Sequence, residues 1–254
     1  MKPIVFLHIP KTAGQTIHSE LARVVGAARV SPVRVHTQAA RGPEHAAAQM
    51  PPGYGLYSGH LDWTALDNLP SDRFVFSVLR DPWERIASFY FYLLEQAQRL
   101  DTAALHAPDR IGFRMILTRS ADDYFFGGDA RWQQFILDHY DNFYCSYFAT
   151  RKMRGHPDIA GLSGPDLIDR ALNNCRHIDR IYSTHDLAPL QADILALMRQ
   201  NIHVTDTFIN TGPQTRNTLR WPKLLERLER GETAARLADF GSLDRALMTR
   251  LDLP

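Results

Sequence analysis

The stretch that decides the fold is Pro3-Ile4-Val5-Phe6-Leu7-His8-Ile9-Pro10, which runs into Lys11-Thr12-Ala13-Gly14-Gln15-Thr16. Its apolar core is far short of the ~20 residues a membrane span needs. It stops in a Pro-Lys-Thr-Ala-Gly turn, beyond which Ile17, Leu21, Val24 and Val25 recur at helical spacing. The segment therefore reads as a buried strand, a tight loop, and a helix whose first turn lies beside a lysine. Unpaired N–H groups at a helix start, the helix dipole and a lysine side chain together favour an anion, usually a phosphate.

A second unit of the same kind follows. Arg73-Phe74-Val75-Phe76-Ser77-Val78-Leu79 is almost continuously apolar, as suits a central parallel strand covered on both faces. Arg80 comes next, and Asp81-Pro82 supplies an N-cap and a first-turn proline for a helix carrying Ile86, Phe89, Tyr90, Leu93 and Leu94. Gly55-Leu56-Tyr57-Ser58-Gly59-His60 reads as a brief strand ending in a loop, and Ile178-Asp179-Arg180-Ile181-Tyr182-Ser183 as a further strand. Helical patterns surround Tyr124-Phe125-Phe126 and Trp132–Leu137, with a Gly127-Gly128 break between them. Ser163-Gly164-Pro165 opens another helix, and Asp186 caps one bearing Leu190, Ile194, Leu197 and Met198. The chain from about 186 onward is helical, interrupted near Trp221-Pro222 and Gly231. Alternating strands and helices predict an α/β fold: a P-loop-like three-layer sandwich with a central, mostly parallel sheet flanked by helices, forming one domain over 1–254.

Composition narrows the function classes. With 254 residues, 44% of them hydrophobic, the chain can fill a sizeable core. Lys plus Arg is 29 against 28 for Asp plus Glu, so nothing global steers the protein toward nucleic acid, which leaves room for a local basic pocket. Cys145 and Cys175 have no metal-ligand spacing and read as buried free thiols in a reducing compartment. No signal segment precedes the first strand and no apolar run has spanning length, so a soluble, cytoplasmic protein is expected.

Lys11 and Arg80 each follow a strand, and ligands of open α/β sheets bind outside the carboxyl ends of strands. Both cations are thus expected to face one crevice and to suit a ligand with two phosphate-like groups. The first loop is not a Walker A motif, because Lys11 precedes Gly14 rather than following a glycine. Gly53-Tyr54-Gly55 does not extend into a dinucleotide fingerprint, and Asp81 is accounted for as a helix cap rather than a magnesium ligand. Neither magnesium–ATP nor any other metal is expected.

His8-Ile9-Pro10-Lys11-Thr12-Ala13-Gly14-Gln15-Thr16, followed by Leu79-Arg80-Asp81-Pro82-Trp83-Glu84-Arg85 and Ser88-Phe89-Tyr90, resembles the sulfotransferases that use 3′-phosphoadenosine-5′-phosphosulfate. The likeness is greatest to the carbohydrate branch that includes heparan/uronyl 2-O-sulfotransferases, and spans roughly residues 3–94. Gly53–His60 resembles the segment that carries that branch's catalytic histidine. The resemblance implies that Lys11, Thr12, Ala13, Gly14, Gln15 and Thr16 wrap the donor's 5′-phosphate, with Lys11 neutralising the charge that builds as the sulfuryl group leaves. It implies that Arg80 and Ser88 hold the 3′-phosphate, that His60 is the general base, and that transfer to a hydroxylated small-molecule or glycan acceptor is direct and in line. Adenosine 3′,5′-bisphosphate is then the product, and no metal is required. Arg216, in the turn-rich Asn210–Arg216 stretch, lies near where the family places a late donor-contacting or substrate-contacting loop, and reads either as a cofactor contact or as a solvated loop arginine.

Each role has a plainer counterpart. His60 can be a loop histidine bonded to a carbonyl, and His8, inside an apolar strand, reads as a core histidine. Glu84 and Arg85 read as surface pairs, Arg151-Lys152-Met153-Arg154 as a wet charged face or a contact to an anionic glycan, and Asp62 and Trp63 as acceptor contacts, with core or pocket wall the plainer reading for Trp63. Gln15 departs from the small or hydroxyl residue common in the family, and the membrane anchor and secretory cysteines of the animal glycan enzymes are absent, which favours a compact microbial version. Two other functions fit the residues less well: an ATP-dependent, P-loop kinase-like phosphotransferase, and a non-catalytic nucleotide-binding protein.

Overall fold

The computed structural model describes residues 2–39, 44–107, 110–205 and 219–254. The strands are β1 (Ile4–Leu7), β2 (Leu56–Gly59), β3 (Phe74–Leu79) and β4 (Arg180–Ser183). They form one sheet in the order β2-β1-β3-β4, with every neighbouring pair parallel. Helices α1 (Gly14–Val25), α2 (His45–Gln49) and α3 (Pro82–Gln98) belong to the first half. They are followed by α4 (Thr102–Leu105), α5 (Ile111–Thr118), α6 (Ala121–Phe126), α7 (Ala130–His139) and α8 (Phe143–Thr150). The remainder comprises α9 (Gly164–Cys175), α10 (Ala188–Met198), α11 (Trp221–Leu225), α12 (Gly231–Asp239) and α13 (Ser242–Arg250).

Side chains of a strand alternate between faces, and β1 is buried on both, which is why its sequence is apolar without interruption. On one face Ile4 and Phe6 meet Ile17 and Leu21 of α1 and Leu190 and Ile194 of α10. Phe6 stacks on Phe76 of the adjacent strand at 4.7 Å between ring centroids. On the other face Val5 and Leu7 join Tyr57, Val75 and Leu79 against α8, α9 and α13. Each fully buried side chain of this size contributes about 1.5–3 kcal/mol. A third cluster, built from α3, α6, α7, α11 and α12 around Tyr90, Tyr124, Phe125 and Tyr140, lies among the helices alone.

Side-chain caps account for five of the thirteen described helix starts. Asp81, Asp101, Ser120, Asp129 and Ser163 each accept a first-turn N–H of α3, α4, α6, α7 and α9 respectively. The expected break near Trp221-Pro222 is a helix start: α11 opens there, because a proline costs nothing in a first turn where no N–H is required. One expectation is corrected. Asp186 accepts the Ala188 N–H at 2.9 Å, while Leu187 occupies the N-cap position of α10.

The C-terminal helix α13 is tied to α8 by reciprocal caps. Buried Asp244 accepts the N–H groups of Tyr144 (3.0 Å) and Cys145 (2.8 Å), and Asn142 Oδ1 accepts those of Leu243 (2.8 Å) and Asp244 (3.3 Å). Asp244→Ala leaves two buried donors unpaired and is expected to cost about 2–4 kcal/mol of stability in urea unfolding, with Asp244→Asn costing less.

Candidate active site

The parallel register aligns the strand ends: Leu7 lies opposite Gly59 of β2 and Ser77 of β3. His8, His60 and Arg80 are the residues that leave β1, β2 and β3, so they emerge at one edge of the sheet. The loop from β1 to α1 is shaped from within. The Thr12 hydroxyl is buried and donates to the Ile9 carbonyl at 2.8 Å, so it closes the turn rather than facing a ligand, which leaves Thr12 only its backbone to offer. Lys11 and Ala13 take positive φ angles of 72° and 63°, and such alternation bends successive N–H groups into a concave nest. Ala13 is the N-cap of α1 and has no side chain to bond the first turn, so Gly14, Gln15 and Thr16 begin a helix without a side-chain cap. Gly14 is required by packing: a Cβ there would fall 1.7 Å from Nε2 of the buried His8 ring. Gln15 is exposed at the mouth of the loop, and Thr16 is buried.

Three cations converge beside this loop. Lys11 Nζ lies 4.0 Å over the ring of Tyr92 on α3. Burial, and then the charges of Arg220 and Arg80, lower its pKa to about 8, against a smaller opposing pull from Glu95. Arg220 is depressed from its ordinary value by burial and by Arg80, with Glu84 opposing. Arg80 is held at both levels. Its backbone exchanges hydrogen bonds with the Tyr144 hydroxyl (3.2 and 2.8 Å), and its guanidinium donates to Glu84 at 3.1 Å. The other Glu84 oxygen accepts the N–H groups of Arg220 and Trp221, each at 2.8 Å, which fastens the start of α11 to the site.

Glu84, Ser88, Tyr92 and Glu95 recur at helical spacing along α3, so one face of this helix runs from Arg80 past Ser88 to Lys11. From Glu84 to Tyr92 that face is about 12 Å long. The expectation of surface pairs at Glu84 and Arg85 is overturned. Both are buried, and Arg85 donates to the His139 carbonyl at 2.7 Å while stacking over Phe143. Arg220, Tyr92 and Tyr144 were not singled out from sequence. The 84/88/92 periodicity was a readable signal for Tyr92, whereas Arg220 is brought in by a contact 136 residues from Glu84. Arg216 lies outside the described residues.

His60 is held on three sides. Its N–H donates to the Arg34 carbonyl (2.8 Å), its own carbonyl accepts from His36 (2.7 Å), and its Nδ1 bonds the His8 carbonyl at 2.8 Å. A carbonyl only accepts, so Nδ1 carries the proton and the neutral ring keeps its lone pair on Nε2. Burial lowers the His60 pKa, as do the charges of Arg34, His36 and Lys11, against the bond to His8. Gly59 allows the close approach, since a Cβ there would fall 2.1 Å from the Arg34 carbonyl oxygen. Trp63 is fully buried, under the Arg151 guanidinium, and Asp62 accepts the Met153 N–H at 2.7 Å; neither faces the crevice as a free contact.

This arrangement can chemically hold an anion beside a neutral imidazole. Sulfate keeps one charge state across neutral and alkaline pH, so its affinity reports the protein. Binding should weaken as pH rises through about 8, where Lys11 loses its proton, and Lys11→Arg should flatten the profile. Calorimetric titration at several pH values checks this.

Comparison with known proteins agrees with the geometry. No curated protein matches the chain. The family described as "Sulfotransferase family" matches residues 1–159, a span that holds β1 to β3, the Lys11 loop, His60, Arg80 and Ser88. Covering more than half the sequence, that match shows that the chain belongs to the sulfotransferase family, whose members transfer a sulfuryl group.

Proposed function

We propose that the protein moves the sulfuryl group of 3′-phosphoadenosine-5′-phosphosulfate directly onto a hydroxyl of a sugar or glycan, with residues 1–254 acting as one cytoplasmic catalytic unit. The observation that carries this reading is the convergence of Lys11, Arg80 and Arg220 beside the uncapped start of α1. Like charges brought together out of water raise the energy of the free protein, and an anion with charge at two separate positions relieves it. A ribose phosphorylated at both ends is such an anion.

The roles follow from position. The backbone N–H groups from Thr12 to Thr16 and the start of α1 hold the 5′-phosphate, with Lys11 beside them. Arg80 presents a planar fork to the 3′-phosphate, Ser88 adds a hydroxyl, and Arg220 adds charge from α11. His60 Nε2 removes the proton of the acceptor hydroxyl. The freed oxygen forms its bond to sulfur as the bond from sulfur to the 5′-phosphate oxygen breaks. The electron pair stays on that phosphate, where Lys11 meets the new charge, and adenosine 3′,5′-bisphosphate departs. Because the His60 ring is held with its pKa below the usual value, it is the free base at neutral pH without further adjustment.

Sulfur-radiolabelled donor and a panel of hydroxylated acceptors test the reading. His60→Ala should cut transfer by about 100-fold or more while adenosine 3′,5′-bisphosphate binds as before. The acid limb of kcat/KM for the unmodified protein should fall below the ordinary imidazole pKa of about 6.5. Near-normal turnover of His60→Ala removes His60 as the base.

A further inference from the structure

His8 is the first residue beyond β1, and its ring is packed between groups that the transfer reaction would use. On the core side it stacks on Phe6, with 5.2 Å between ring centroids, and on the other side the His60 ring stands 4.3 Å away, tilted by 38°. It also lies flat against Gly14, the first residue of α1, where it leaves no room for a Cβ, and Nε2 is the ring atom nearest that position. Only 6% of His8 is exposed, yet neither ring nitrogen has a hydrogen-bond partner among the described residues. The rings of His60 and His139, by contrast, each spend Nδ1 on a carbonyl at 2.8 Å. A buried polar group without a partner carries an unmet desolvation cost, which a ligand that supplies the partner removes. Burial, and then the charges of His60, Arg34, His18 and Lys11, hold the His8 pKa well below the usual value, so the ring is neutral, with one N–H and one lone pair.

Gly14, His8 and His60 thus form a row of direct contacts. At one end is the start of α1, where the 5′-phosphate would be held, and at the other is the base that would act on the acceptor hydroxyl. In an in-line displacement the sulfur passes from the phosphate oxygen to the acceptor oxygen, so the His8 ring flanks its path. Resting on the sulfuryl-transfer reading above, we propose that His8 is a further catalytic residue, which donates its unpartnered Nε2–H to an oxygen of the sulfuryl group. Lys11 and the N–H groups of the loop serve the phosphate side, whereas this donor serves the group in motion and is fixed before the reaction begins. A neutral donor suits the place, because it adds no further cation beside Lys11, Arg80 and Arg220. The glycine at position 14 is what lets the ring reach the start of the helix.

Sulfur-radiolabelled donor, with the best acceptor of the panel above, tests the role. His8→Phe keeps a stacked ring and removes the N–H, and should lower kcat by about 100-fold, the loss typical of one preorganised donor. Adenosine 3′,5′-bisphosphate carries no sulfuryl group, so its affinity for His8→Phe should stay within about threefold of that of the unsubstituted protein. His8→Gln places an amide N–H close to the position of Nε2 and should recover about tenfold of the lost kcat. The acid limb of kcat/KM should stay in place in both variants, because His60 keeps its bond to the carbonyl of residue 8. Turnover of His8→Phe within about threefold of normal, equal loss in the two variants, bisphosphate affinity that falls in step with kcat, or a displaced acid limb overturns the assignment. If neither variant folds, nitrogen-15 NMR of the unsubstituted protein decides the matter. The His8 Nε2 resonance should move when the donor binds and not when the bisphosphate binds, and an equal response to both, or to neither, overturns the assignment. Failure of the unsubstituted protein to transfer sulfur from the donor to any acceptor counts instead against the sulfuryl-transfer reading.

Discussion

The register between β1 and its two neighbours is the constraint on which the rest depends. Leu7 faces Gly59 and Ser77, and the Ser77 hydroxyl donates to the Leu7 carbonyl at 2.8 Å, a buried bond that holds the alignment. A slip of one residue would exchange the two faces of β1, turning Phe6 and Leu7 into the wrong layers. Because both faces are packed, that alternative is closed. Three chains therefore leave the sheet at one edge, and the residues they deliver there are His8, His60 and Arg80.

What is delivered is costly on its own. Lys11 and Ala13 sit in the left-handed region without being glycine, α1 starts without a side-chain cap, and Lys11, Arg80 and Arg220 stand close enough to repel. Elsewhere the apolar faces match their layers, and five helices carry side-chain caps. Single non-glycine residues with positive φ also occur at Asn142, Arg151, Arg199 and Asp252, but the Lys11 loop holds two of them within three residues, a conformation the surrounding structure must fix. Glu84 moderates the repulsion by pairing with Arg80 and by fastening the start of α11, which keeps Arg220 in place.

Much of this was legible in the sequence, for identifiable reasons. β1 and β3 are continuous apolar runs, and Asp81-Pro82 announces α3, so the two strand–loop–helix units and their cations could be read directly. His60 was open to two readings, a base or a loop histidine bonded to a carbonyl. The structure supplies the carbonyl bond, from His8, and that bond selects the tautomer a base requires. What could not be read depends on contacts distant in sequence. Arg220 joins through Glu84, the backbone of Arg80 is clamped by Tyr144, and Arg85 is buried beneath α8 rather than lying in a surface pair. The Thr12 hydroxyl is spent inside the loop on the Ile9 carbonyl, a bond that the sequence does not announce.

The central claim is that the Lys11 loop and Arg80 together select a ribose phosphorylated at two positions, without magnesium. Calorimetric titration with adenosine 3′,5′-bisphosphate and with ATP, each with and without magnesium, tests it most directly. The account predicts tight binding of the bisphosphate that is indifferent to magnesium and lost in both Lys11→Ala and Arg80→Ala. Preference for magnesium–ATP, or bisphosphate binding that survives both substitutions, would contradict it.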